Sequence, residues 1–285
     1  MARVYRHAQC EWCTVLASRD AMTLDASPMN PPSRRVALLV LASIAMHAGF
    51  MLVRAPVAAQ ALAWSAAAVA LLSALMREPQ ALHATLLFAL IMGWAGLPHP
   101  LLVWPLYLLA PLIAYAFSVR MVRPLRRTAT WWKRGRIDRV VLAMMLGAAV
   151  VSSLALALWL KWLHPDLGDL RDQIPDVSTA ALVGIGLVFS VGNALLEEFI
   201  WRGVLMESLD AGFGVGVASV IVQAVSFGIA HIAGFPRGAL GMAMAAVYGL
   251  MLGAIRRRSG GLLAPVITHV FADVTIFALL MRAVR

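Results

Sequence analysis

Residues 178–206 read STAALVGIGLVFSVGNALLEEFIWRGVLM. Nineteen residues pass, Ser178 to Leu196, before the first charge, and then Glu197, Glu198 and Arg202 fall together inside the apolar run. A bilayer core about 30 Å thick needs about 20 helical residues to cross, so this run is long enough to cross at a tilt. Each charge at the centre of such a helix costs roughly 2.5–3.5 kcal/mol on insertion scales. An apolar helix that keeps three of them has a use for them.

The rest of the chain has the same texture. Of 285 residues, 61% are apolar and 13% charged, against roughly 45–50% and about 25% in a soluble domain. That little charge cannot cover a soluble surface, which excludes an ordinary cytosolic protein, a disordered chain and a nucleic-acid binder. Apolar runs fall at 36–53, 57–76, 81–97, 99–119, 140–160, 178–206, 214–235, 239–255 and 262–281. The expected fold is all-α, a polytopic transmembrane helical bundle of eight or nine spans. The 81–97 and 99–119 runs are split only by His99-Pro100, so their hairpin is tight or one is incomplete. Residues 1–35 read as a polar, disordered N-terminal extension, 36–177 as N-terminal transmembrane helices, and 178–285 as a transmembrane core that carries the buried charges.

The net charge of +10 is concentrated. Eight bases lie between Arg120 and Arg139 with Asp138 the one acid, and Arg256, Arg257 and Arg258 form a second cluster. Both sit between apolar runs, where cytoplasmic loops carry Lys and Arg. Arg34 and Arg35, Arg77 and these clusters alternate correctly if the N-terminus is cytoplasmic, with Arg54 as an exception. The 164–177 loop, with Asp166, Asp169, Asp172 and Asp176 against Arg171, suits the opposite side. His7, Cys10 and Cys13 supply three metal-ligand types without a fourth and read as part of the polar extension; Met22 and Met29 are alternative starts. There is no disulfide framework. His47 and His83 read as structural.

Chemistry-bearing residues converge on the last hundred positions. Glu198 and Arg202 are four apart, share a helix face and can pair, which lowers the burial cost of both. Glu197 points about 100° away on a stripe with Asn193 and Trp201 and has no evident partner. Phe227 and His231 are four apart in a second apolar run. His269 and Asp273 are four apart in a third, where a carboxylate can orient the imidazole or share its proton.

The ordered set Glu-Glu-x3-Arg, Phe-x3-His and His-x3-Asp on three apolar helices resembles the CPBP, or ABI, family of intramembrane proteases, which includes the type II CAAX prenyl endopeptidases. The resemblance covers roughly 178–281. It implies a glutamic-type endopeptidase in which Glu197, assisted by His231, activates water, while His269 and Asp273 stabilise the oxyanion. Glu198 and Arg202 are the supporting pair, with Asn193 and Phe227 beside them. No cofactor is implied; Glu197, His231, His269 and Asp273 would suit zinc by residue type alone. The prenyl proteases carry asparagine where this chain has Asp273. An ionised aspartate repels an oxyanion, so either Asp273 is protonated or it only orients His269.

Expected partners are the lipid bilayer and a membrane-associated protein or peptide cut near its C-terminus or membrane anchor. The expected location is a bacterial inner membrane. A non-catalytic scaffold or bacteriocin-immunity protein of the same fold is the alternative; a proton-coupled transporter would show matching halves, which the sequence lacks. By residue counting His231 falls nearer the outer end of its span than Glu197. For the motifs to meet, its helix must start after the Gly212–Gly216 stretch or be sunk toward the cytoplasm.

Overall fold

The computed structural model describes residues 31–96, 106–165 and 176–284. The chain divides into two units, Met1–Pro31 and Pro32–Arg285, and every described helix lies in the second. His7, Cys10, Cys13, Met22, Met29, the His99-Pro100 hairpin and most of the 164–177 loop, including Asp166, Asp169, Arg171 and Asp172, lie outside the described residues.

The described residues are helical, without strands. In chain order the helices are α1 (Arg34–Leu52), α2 (Pro56–Leu75), α3 (Pro79–Ala95), α4 (Leu106–Met121), α5 (Arg123–Thr128), α6 (Arg139–Leu163) and α7 (Thr179–Glu198). A π-helical turn (Phe199–Leu205) follows, then α8 (Met206–Phe213), α9 (Val217–Ala230), α10 (Gly238–Ser259) and α11 (Leu263–Val284). Their starts follow local chemistry. Ser33, Asp138 and Ser178 cap α1, α6 and α7 by accepting from Val36, Val141 and Ala181 N–H groups. Pro56 and Pro79 open α2 and α3, where a missing N–H costs nothing. The Asp138 carboxyl is held below its usual range, chiefly by the Val141 N–H, with Arg258 adding to it.

Among the described residues, six segments are long and apolar enough to cross a membrane: α1, α2, α6, the continuous Thr179–Phe213 stretch, α10 and Leu263–Arg282 of α11. Pro79–Ala95, Tyr107–Met121 and Val217–Ala230 are apolar but shorter. A helix of 17 residues reaches about 26 Å, short of a 30 Å core. Each expected run thus carries a helix, and in three the described helix is shorter than a full crossing. The outer faces are apolar: Leu142, Leu146, Val150 and Leu154 of α6 and Val183, Leu187 and Val188 of α7 are exposed, whereas Glu197, Glu198 and Arg202 are buried. Apolar outside and charged inside is the arrangement of a protein dissolved in lipid. The chain is an integral membrane protein.

The basic stretch 120–139 is more than a loop. It holds α5, and Trp131 is buried against Tyr115, Phe199 and His83. His83 bonds Tyr115 Oη at 2.7 Å and Thr128 Oγ1 at 2.9 Å, and His47 stacks on Phe88, so both histidines are structural. The stretch then pairs with the turn before α11. Arg136 N–H donates to Ser259 O at 2.8 Å, and Leu262 and Leu263 N–H donate to Lys133 O and Arg134 O. Arg258 bonds Asp138 and Arg257 bonds Asp210, while Ser33 N–H donates to Ala211 O. The start of α1, the basic stretch and the Arg256–Arg258 cluster therefore share one end of the bundle.

Gly135 and Gly261 permit that pairing. A Cβ on Gly261 would stand 2.1 Å from Gly135 N, and one on Gly135 would stand 2.6 Å from Gly261 N. Gly261→Ala is expected to lower stability by about 1–3 kcal/mol through this overlap. Gly147→Ala in α6, where nothing lies within 4 Å, is expected to be neutral or stabilising. Thermal unfolding of the two purified variants in detergent checks the contrast.

Candidate active site

Three helices bring the polar side chains together. α7 contributes Asn193, Glu197 and Glu198, with Arg202 from the following π turn; α9 contributes Phe227 and His231; α11 contributes His269 and Asp273. The sequence pattern predicts continuous α-helix through Arg202, and the structure instead widens the turn at Phe199–Leu205. There Gly203 lies against the Trp131 indole. Single wide turns of this kind recur at functional sites.

Glu198 is the hub. Its Oε1 accepts from Arg202 Nη1 at 2.9 Å and from His269 Nδ1 at 2.7 Å. The expected Glu198–Arg202 pair is present, and His269 joins it from 71 residues away. Arg202 is fully buried. It also donates to Gly249 O at 3.4 Å, shared with Gln223 Nε2 at 2.9 Å, and lies 4.3 Å from the centre of the Phe227 ring. Phe227 is thus a cation–π platform for Arg202, and its carbonyl accepts from His231 Nδ1 at 2.8 Å.

That last bond fixes the tautomer of His231. With Nδ1–H donated to a carbonyl, which can only accept, Nε2 is left for chemistry. It faces Glu197 Oε2 at 3.8 Å. His269 Nε2 faces the same oxygen at 3.6 Å. Glu197 Oε2 is buried and makes no hydrogen bond among the described residues. α9 begins only at Val217, after Gly214–Gly216, and ends at Ala230, so His231 sits at its C-terminal end, facing Glu197. The late helix start is the first of the two arrangements the sequence left open.

Asp273 does not supply the hydrogen bond that orients His269. Its Oδ1 is 3.7 Å from His269 Nε2, while the orienting bond to Nδ1 comes from Glu198. Asp273 Oδ2 instead accepts from Asn193 Nδ2 at 3.0 Å. Tyr248 and Gln223 were not singled out by sequence. Tyr248 packs edge-on against His269 and donates its hydroxyl to Thr268 O at 3.1 Å. Gln223 carried a readable signal, since it precedes Phe227 by four in the same apolar run. Among the described residues, no group of three His, Cys, Asp or Glu side chains is arranged to hold a metal ion.

The fold and this cluster define a multi-spanning membrane protein with a buried acid–histidine site. Residues 179–275 match the family model described as Rce1-like, type II CAAX prenyl endopeptidase. That is a family of endopeptidases, and the matched segment contains all three motifs, so the resemblance read from them holds at family level. No curated protein and no solved structure matches the chain.

The two adjacent glutamates are expected to behave differently on neutralisation. Glu198→Gln leaves Arg202 buried without its counter-ion, a change that typically costs about 3–5 kcal/mol. Glu197→Gln loses no direct hydrogen bond at Oε2 and is expected to change stability by under about 1 kcal/mol. Thermal unfolding in detergent reads both; equal losses would undo the assignment of Glu198 as the structural partner.

Proposed function

We propose that the chain is an intramembrane endopeptidase of glutamic type, acting on a membrane-associated protein or peptide near its C-terminus or membrane anchor. The observation that carries this reading is the Glu197 carboxylate, buried and unbonded at Oε2, facing the free ring nitrogens of two histidines. Separations of 3.6–3.8 Å exceed a direct hydrogen bond and suit a bridging water.

In the proposed reaction that water gives a proton to Glu197, with His231 Nε2 as the second acceptor, and its oxygen bonds the substrate carbonyl carbon. The carbonyl electrons become an oxyanion. His269, holding Glu198 through Nδ1–H, presents Nε2 as its donor when doubly protonated; such preorganised donors contribute about 3–4 kcal/mol each. Collapse breaks the carbon–nitrogen bond, and the proton passes from Glu197 or His231 to the leaving amine. Asp273 is turned to Asn193 through Oδ2 and faces His269 through Oδ1, so we assign oxyanion donation to His269 and give Asp273 the role of stabilising its imidazolium. No step calls on a metal.

The location we propose is a bacterial cytoplasmic membrane with the N-terminus inside. The shared end of the α1 start, the basic stretch and Arg256–Arg258 supports it, since cytoplasmic ends carry excess Lys and Arg.

The test compares wild type with Glu197→Ala, expressed in a deletion strain of the source organism, by mass spectrometry of C-terminal peptides from the membrane proteome. A small set of proteins is expected to keep its tail only in the mutant, and processing in isolated membranes is expected to survive chelators. A mutant that accumulates normally, leaves every tail as in wild type and rescues the deletion would overturn the protease reading. It would favour a non-catalytic scaffold or immunity role.

A further inference from the structure

Asn193 stands one turn before Glu197 on α7 and is 1% exposed. Its Nδ2 donates to Asp273 Oδ2 at 3.0 Å, across 80 residues of chain. The other Asp273 oxygen lies 3.7 Å from His269 Nε2. That distance is too long for a hydrogen bond, yet the two groups are four residues apart on one helix and face each other. His269 Nδ1 is already committed to Glu198, so Nε2 is the ring position left for substrate.

A carboxylate beside an imidazolium Nε2–H in an apolar core has one strong tendency. It rotates to about 2.8 Å and takes the N–H for itself, because a charge-assisted bond there is short and strong. What opposes this in the structure is the hydrogen bond from Asn193, which holds Oδ2 toward α7. A neutral amide is the suitable restraint. It donates to a carboxylate without adding a charge, whereas a lysine or arginine would neutralise Asp273 and a second carboxylate would repel it.

We propose that Asn193 is a positioning residue whose amide restrains Asp273 from capturing His269 Nε2–H, which keeps that donor available to the oxyanion. The proposal rests on the reading of Glu197 and His269 as the working acid–histidine set. It separates two contributions of Asp273. At a distance it stabilises the imidazolium; in direct contact it would occupy the donor.

The consequence is a pattern of suppression between two sites. Asn193→Ala frees Asp273 and is expected to slow cleavage by about 100-fold, the usual loss for one oxyanion donor. Asp273→Asn in that background removes the competing carboxylate and is expected to recover at least ten-fold over Asn193→Ala alone. A merely structural Asn193 predicts the opposite, since the second change deletes another polar group from a disturbed core. The readout is the rate of tail loss from the proteins whose C-terminal peptides depend on Glu197, followed in isolated membranes. Asn193→Leu, close in volume and without the amide, is tested beside Asn193→Ala, so that a poorly accumulating alanine variant leaves the question answerable.

Asn193→Ala or Asn193→Leu within two-fold of wild type would overturn the inference. So would a double variant no faster than the single one. Glu197→Gln distinguishes the two levels: if it leaves every tail unchanged, the protease reading falls. If it stops cleavage while the Asn193 variants cleave normally, the protease reading stands and the restraint is wrong.

Discussion

A fully buried guanidinium sets the terms for this bundle. Arg202 has no exposure, and an arginine does not shed its proton to escape that cost. The positive charge must therefore be met where it lies. Glu198 meets it by a direct ion pair, Gly249 by a carbonyl and Phe227 by a ring face. Those three partners come from α7, α10 and α9. The second bond on Glu198, from His269, adds α11. Satisfying one cation thus ties together the four helices that carry or flank the site. Pairing of this kind seldom adds net stability over an apolar core, but losing one partner is expensive. The arrangement fixes which helix faces meet.

How much of this was legible follows from the range of each interaction. The Glu198–Arg202 pair could be read because it is local to one helix, where a spacing of four determines the face. The same holds for the shared faces of Phe227 with His231 and of His269 with Asp273. The contacts that give these residues their roles are long-range, Glu198 with His269 and Asn193 with Asp273, and depend on how helices are rotated against one another. Periodicity carries no information on that rotation. The two readings of Asp273 stayed open in the sequence for this reason. The π turn was hidden because its residues are as apolar and helix-compatible as their neighbours. The short α9 was half visible: the Gly212–Gly216 stretch announced a break, while the turn following His231 did not stand out.

The basic stretch shows a different limit. Read by composition it is a cytoplasmic loop, and its charge distribution agrees with that. Composition does not show that Trp131 is buried among Tyr115, Phe199 and His83, or that Lys133 and Arg134 offer their carbonyls to the N–H groups opening α11. The first turn of any helix has N–H groups without internal partners. Here the N-terminal half supplies acceptors for Leu262 and Leu263, two residues that lead into the helix bearing His269 and Asp273. The N-terminal half therefore does more than anchor: the stretch after α5 pairs with the start of one element of the site. The Gly135–Gly261 approach leaves room for no side chain at that junction.

The same logic separates three chemically similar acids. Glu198 receives two donors on one oxygen, Asp273 receives one from Asn193, and Glu197 Oε2 receives none. Intrinsic acidity hardly distinguishes Asp from Glu, so their division of labour comes from the neighbours each helix delivers. A carboxylate with two strong donors is held in one orientation and is poorly placed to accept a proton. An oxygen without a donor, as at Glu197 Oε2, is free to accept it. Because all three face His269 within 3.7 Å, a proton taken up by one changes the field at the other two. In the reaction proposed above, a proton accepted at Glu197 would therefore be felt at His269, whose ring nitrogen faces the same carboxylate oxygen.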